Sequence, residues 1–186
     1  DDLPISLFAK WQNSNLRGEG KTVSAGANIA TTEQTIDFSY GQSWLFNQPI
    51  QFSESLSFSH YNNSALALNF LPGGSLIADE YYMNFESWGA SLSTSFGRRW
   101  LPNFAILTLT GGMSNTLNYN VYDQGLYVPI DSGVSKNANR AGIKNAIYAS
   151  ISLANRDISF DPSKGWFFNE RLAWYGLIPG LEQEFY

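Results

Sequence analysis

The chain has 186 residues, with no cysteine, one histidine and few charges. Without cysteine there is no disulfide scaffold and no thiolate metal site. With His60 alone there is no histidine pair to hold a metal. No run approaches the ~18 consecutive apolar residues of a membrane-spanning helix. Charged residues are 15% of the chain, against about 25% in a typical soluble domain. The net charge is -5 and no basic stripe is present, which argues against a nucleic-acid partner. Asp1-Asp2 leads directly into a strand-like run with no signal peptide. For a secreted or membrane protein, the expectation is therefore a processed chain or an excerpt of a longer one.

Aromatic residues, by contrast, are 16% of the chain, diluted by Ser, Asn, Gln and Gly. That mixture suits a sheet with lipid on one side and water on the other. An extracellular β-sandwich that binds or cleaves carbohydrate has a similar composition, so composition alone leaves both open. Periodicity carries the reading further. In Ile50–Tyr61, Ile50, Phe52, Leu56 and Phe58 fall on one face, and Ser53, Ser55, Ser57 and Ser59 on the other. A strand collects these serines on one side, whereas a helix scatters them. Similar alternation marks Leu3–Gln12, Lys21–Thr31, Thr35–Phe46, Ser87–Arg98, Phe104–Tyr122, Lys144–Asn155 and the run from Trp166 to Tyr175. Eight strands result, over one unit spanning residues 1–186. Asn62–Glu86 and Asp123–Arg140 are expected to be long loops, the first partly extending its flanking strands.

The connections at Asn13–Gly20, Asn47–Pro49, Trp100–Asn103 and Asp161–Gly165 are short. They alternate with the connections at Thr32, Asn62–Glu86, Asp123–Arg140 and after Gly176, two of which are long. Short turns at one end and longer loops at the other are the pattern of an outer-membrane barrel. The fold class expected is therefore all-β, an antiparallel up-and-down transmembrane barrel segment. Its lipid-facing belt is expected to include Phe38, Tyr40, Phe52, Leu56, Phe58, Leu92, Phe96, Leu107, Leu109, Ile151, Leu172 and Trp174. Trp44, Phe46, Trp88, Trp100 and Trp166 are expected as interfacial aromatics. Glu54 and Glu170 interrupt apolar faces, and lipid-facing charges are expected near an interface. A complete eight-stranded adhesin or anchor barrel is a second membrane reading.

The same residues resemble the barrel domain of BamA-type outer-membrane assembly factors. Asn13-Ser14-Asn15-Leu16-Arg17-Gly18-Glu19-Gly20 resembles that family's N-x-x-G-x-G turn. Ser43-Trp44-Leu45-Phe46 resembles a family strand ending, without its proline. Arg156 through Asp161-Pro162-Ser163-Lys164-Gly165 resembles the R…P(T/S)xG periplasmic turn, and Ile178-Pro179-Gly180 with Phe185-Tyr186 the ninth-strand exit. The resemblance implies the second to ninth of sixteen barrel strands, in a parent that folds and inserts outer-membrane proteins. It implies a bacterial outer-membrane location. The implied partners are outer-membrane lipid, the remaining strands and POTRA domains of the parent, client barrel proteins and accessory lipoproteins.

Neither an enzyme nor a cofactor is expected. His60 lies near a strand end. Asp79-Glu80 reads as solvated loop charge, and Asp157 and Asp161 as turn caps or ion-pair partners of Arg156. Gly18-x-Gly20 opens no helix, so it is no nucleotide loop.

Overall fold

The computed structural model describes residues 5–70, 76–157 and 162–176. Leu3, Asp161, Ile178-Pro179-Gly180 and Phe185-Tyr186 lie outside the described residues, as do the side chains of Asp79 and Glu80. The strands are β1 (Ser6–Leu16), β2 (Lys21–Ala30), β3 (Glu33–Gln42), β4 (Ile50–Phe70), β5 (Leu76–Trp100), β6 (Ile106–Val121), β7 (Tyr127–Pro129), β8 (Ala141–Ala154) and β9 (Phe167–Tyr175), with a short helix α1 (Ser132–Lys136) after β7. All nine strands belong to one sheet. Its order is β1-β2-β3-β4-β5-β6-β8-β9, and β7 pairs with β4 off this path. Among the described residues every strand–strand ladder is antiparallel, and an isolated parallel bridge joins Asn120 to Ala138. Sequential neighbours pair, so the sheet is an up-and-down meander and not the two packed sheets of a sandwich. Among the described residues its end strands β1 and β9 are not paired to each other.

Several boundaries differ from the sequence expectation. The polar run from Asn13 continues as strand to Leu16, with a register shift between Asn13 and Leu16. The turn is confined to Arg17–Gly20, where Arg17, Gly18 and Gly20 take positive φ. The Asn15 side chain accepts from the Gly20 N–H at 2.8 Å and so ties the two ends of the turn. β3 stops at Gln42 and not at Phe46. Most of the expected loop Asn62–Glu86 is strand: β4 and β5 continue as a paired hairpin beyond the rest of the sheet. The expected loop Asp123–Arg140 contains β7 and α1.

These two segments fold together. β7 lies along β4 through Ala67–Pro129, Leu68–Val128 and Asn69–Tyr127, covering an edge that β3 leaves open. Asp131 caps α1 by accepting from the Gly133 N–H at 2.7 Å. Ala67, Met83 and Val134 form the buried cluster, with Ala65, Phe85, Tyr122 and Tyr127 packed against it. Side-chain amides bond to backbone in this cap: Asn120, buried, donates to the Val134 carbonyl at 3.1 Å, and Asn139, exposed, to that of Tyr122 at 2.9 Å.

At the opposite end the β8–β9 turn depends on Gly165. Its φ is +105°, and a Cβ built there would lie 1.7 Å from the Asn155 carbonyl oxygen. Gly165→Ala is expected to destabilise the fold by more than about 1 kcal/mol, since the clash adds to the cost of positive φ. The measurement is the melting point of the compact, heat-modifiable form on unboiled gels. An unchanged midpoint would contradict this turn geometry.

Candidate membrane-facing wall

Residues opposite each other across a ladder share a face of the sheet. Phe38 lies opposite Leu56, and Ile36 opposite Phe58. Leu56 lies opposite Leu92, and Phe52 opposite Phe96. Leu107 faces Trp100 and Leu109 faces Arg98. Leu109 also faces Ile151, while Leu172 faces Ala149 and Trp174 faces Ile147. Following the partners with period two places Phe38, Tyr40, Phe52, Leu56, Phe58, Leu92, Phe96, Leu107, Leu109, Ile151, Leu172 and Trp174 on one face. Trp88 and Trp100 share it. Large apolar side chains there are open rather than packed: Phe38 is 46% exposed, Phe58 50%, Leu172 63% and Trp174 73%.

The opposite face is built from small polar groups. Ser53 pairs with Ser95 at 2.6 Å, Ser57 with Ser91 at 2.7 Å and Ser24 with Ser39 at 2.7 Å. Asp37 lies over Gly26, and the Tyr148 ring lies over Gly112, where a Cβ would meet its hydroxyl at 2.7 Å. Arg171 stacks on Tyr148 at 4.1 Å and Lys144 on Tyr175 at 5.3 Å. One face is thus largely apolar and the other polar, the two-sided pattern of a barrel wall.

Charge on the apolar face is unevenly placed. Glu170 lies between Phe168 and Leu172, opposite Ile151, in the first half of β9. Glu54 lies on the same face, five residues into β4 counted from Ile50. Phe52 and Ile50 precede it on its face and Leu56 and Phe58 follow, so it is flanked by apolar residues on both sides along β4, and Arg98 brings a second charge to this face opposite Ile50.

The expected anchoring aromatics occupy distinct settings. Trp88 stacks on His60, with ring centroids 4.0 Å apart. The His60 Nδ1 meets the side-chain Oε1 of Gln34 at 2.5 Å, and Nε2 lies 3.5 Å from Glu86. Trp100 lies 5.2 Å from the Arg98 guanidinium. Trp44 and Phe46 belong to the β3–β4 connection and are 64% and 86% exposed. Leu45 and Gln48 exchange backbone bonds around Phe46 and Asn47, both with positive φ. That is a two-residue hairpin turn, a place usually given to Asn-Gly. Trp166 precedes β9, and its carbonyl accepts from Asn155 N–H at 2.9 Å.

Of the turn-motif residues, Arg156 stacks its guanidinium on Phe167 at 4.4 Å. Pro162 lies within the turn and Gly165 closes it. The side chain that ties the turn is Asp157: its carboxylate accepts from Ser163 N–H at 3.1 Å, Lys164 N–H at 3.2 Å and the Ser163 hydroxyl at 2.5 Å. The sequence reading gave Asp157 a capping role only in general terms. Among the described residues, no group of three or more His, Asp or Glu could hold a metal. No described helix is long and apolar enough to cross a membrane, which says nothing of strands.

A two-faced antiparallel meander with its aromatics outward is the wall of a transmembrane β-barrel. The chain belongs to the Omp85 superfamily, whose domain matches residues 15–186. A Treponema pallidum (strain Nichols) protein that carries the name of an outer membrane protein assembly factor is 27% identical over 196 aligned residues. That alignment covers 98% of this chain and 23% of the relative, so the chain spans about a quarter of that protein. The crystal structure of BamA from Haemophilus ducreyi lacking POTRA domains 1-3 is similar with a TM-score of 0.46 and 14% identity, over 94% of this chain and 31% of that one.

Phe46 combines left-handed backbone with an exposed ring. Phe46→Gly is expected to leave folding in detergent intact, or to stabilise it by about 1 kcal/mol through relief of that backbone. A loss of similar size in a denaturant titration would show that the ring packs within the turn.

Proposed function

We propose that this chain is part of the wall of a larger outer-membrane barrel, in a protein that folds and inserts other barrel proteins. Membership in the Omp85 superfamily supports this reading. The observation that carries the wall role is the continuous apolar face running from β3 to β9, backed by a face of serine and glycine. On this reading the belt residues meet lipid. Trp44, Phe46, Trp100 and Trp166 lie at the short-turn interface, and Trp88 lies toward the other. The turn containing Arg156, Asp161, Pro162 and Gly165 is periplasmic, and residues 1–186 act as one barrel segment. The remaining strands and POTRA domains of the parent, client barrel proteins and accessory lipoproteins are its partners.

Insertion of this kind needs no bond-making chemistry. A client strand entering lipid must pair its N–H and C=O groups, each costing several kcal/mol if left bare. A stable wall lets another part of the barrel offer a weak edge for that pairing.

Two measurements test the reading. Leu92→Arg is expected to destabilise the barrel in lipid by about 2–4 kcal/mol, whereas Ser93→Arg, on the other face, is expected to cost far less. Equal costs would refute the face assignment. Depleting the full-length protein is expected to lower several outer-membrane barrel proteins together. Normal client insertion by a parent in which Ile50–Tyr61 and Ser87–Arg98 are replaced by an unrelated wall of equal length would refute a specific role for this segment.

A further inference from the structure

Glu54 is a carboxylate flanked by apolar residues on both sides along β4. The β4–β5 register is unbroken from Ile50–Arg98 to Leu68–Glu80, so no bulge turns Glu54 toward the polar face. Its cross-strand neighbours are Tyr40 on β3 and Thr94 on β5. The Tyr40 hydroxyl donates to Gln42 at 2.8 Å and so is engaged elsewhere. Among the described residues Glu54 makes no ion pair, and it is exposed.

An ionisable group facing hydrocarbon is costly, and such groups normally pair or mark a functional path. An acyl chain offers it no donor. The surrounding surface is also shaped. Tyr40, Phe52 and Phe96 form an aromatic ridge, with centroids 6.1 and 5.1 Å apart. In the next rows, the small side chain of Ala90 leaves a shallow apolar hollow of about 240 Å³ bordered by Leu56, Leu92, Leu117 and Ile143. A ridge, a carboxylate and a hollow thus occupy neighbouring rows of one face.

We propose that Glu54 marks an in-membrane docking site for a membrane-spanning segment of a partner protein. That segment presents a Lys or Arg side chain at the depth of Glu54. The pairing removes the cost of a bare carboxylate and sets the register of the contact, while the hollow takes an apolar side chain of the same segment. This inference rests on the outer-membrane reading above.

The test uses the full-length protein in its native outer membrane, with a photo-crosslinking phenylalanine analogue placed in turn at Leu56, Thr94 and Leu109. The expected result is a discrete protein adduct from Leu56 and Thr94, but lipid adducts only from Leu109. The cross-linked peptide should map to a membrane-spanning segment containing Lys or Arg. Adduct yield should fall about tenfold or more in E54L, as expected for loss of a charge-assisted contact. It should fall in E54K and return when the partner's basic residue is changed to Glu in the same cell. E54L is apolar and suits a lipid-facing position, and E54Q provides a second neutral variant; heat-modifiability on gels confirms that each folds. Lipid adducts alone at all positions would overturn the inference, as would a protein adduct unchanged in E54L and E54Q or one lacking a basic residue. An absence of lipid adducts at Leu109 would instead overturn the membrane reading itself, and the inference with it.

Discussion

The constraint on which the structure depends is the pairing of backbone N–H and C=O groups in a place without water. Each unpaired group in hydrocarbon costs several kcal/mol, so a lipid-embedded strand must be flanked on both edges. The meander meets that demand from β2 to β8. Continuous pairing then imposes a period of two along every strand. Once one residue of β4 is assigned a face, the ladders assign β1 to β9 in turn. Sidedness is therefore a property of the whole sheet, and a side chain that violates it, such as Glu54, cannot be moved without breaking the ladder.

The polar face follows from the same pairing. Its side chains stand close across a ladder, and small hydroxyls bond to each other across β2–β3 and β4–β5. Where a large group occurs, a glycine lies beneath it. Tyr148 occupies the space a Gly112 side chain would fill and carries Arg171 on its outer side. Serine, glycine and aromatic content, which looked like simple dilution of an apolar chain, are requirements of a thin wall with two different solvents.

Legibility in the sequence tracked this sidedness. Where one face is apolar and the other polar, as in Ile50–Tyr61, alternation was plain and faces could be assigned residue by residue. It faded in Ala65-Leu66-Ala67, because the inward residues pack beneath Val134 while their neighbours are also apolar. The cap, with β7 and α1, was therefore read as loop. Asn13–Leu16 was read as turn because its polar residues have turn chemistry, although they lie on a strand end. The role of Asp157 rested on bonds six and seven residues away, which no local pattern encodes. For Glu54 the face was legible and its cross-strand neighbours were not, since Tyr40 and Thr94 are brought beside it only by the register of β3 and β5.

The belt also runs obliquely across the ladders, and this separates a barrel wall from other two-faced sheets. One row of directly opposed residues passes from Lys21 to Gln42, then to Phe52, Phe96, Gly111, Ala149 and Leu172. It begins at charge and amide and ends among apolar side chains. A second row begins with Trp11, Ala25, Phe38, Leu56 and Leu92 and ends at Asn115 and Asn145. The apolar zone thus shifts toward the short-turn end on passing from β1 to β9. Strands perpendicular to a flat apolar layer would keep the zone within fixed rows. Tilted strands carry each row through the layer and out of it, and tilt of this kind is what closure into a barrel requires. The sheet is therefore patterned as a tilted wall, and among the described residues β1 and β9 do not pair with each other.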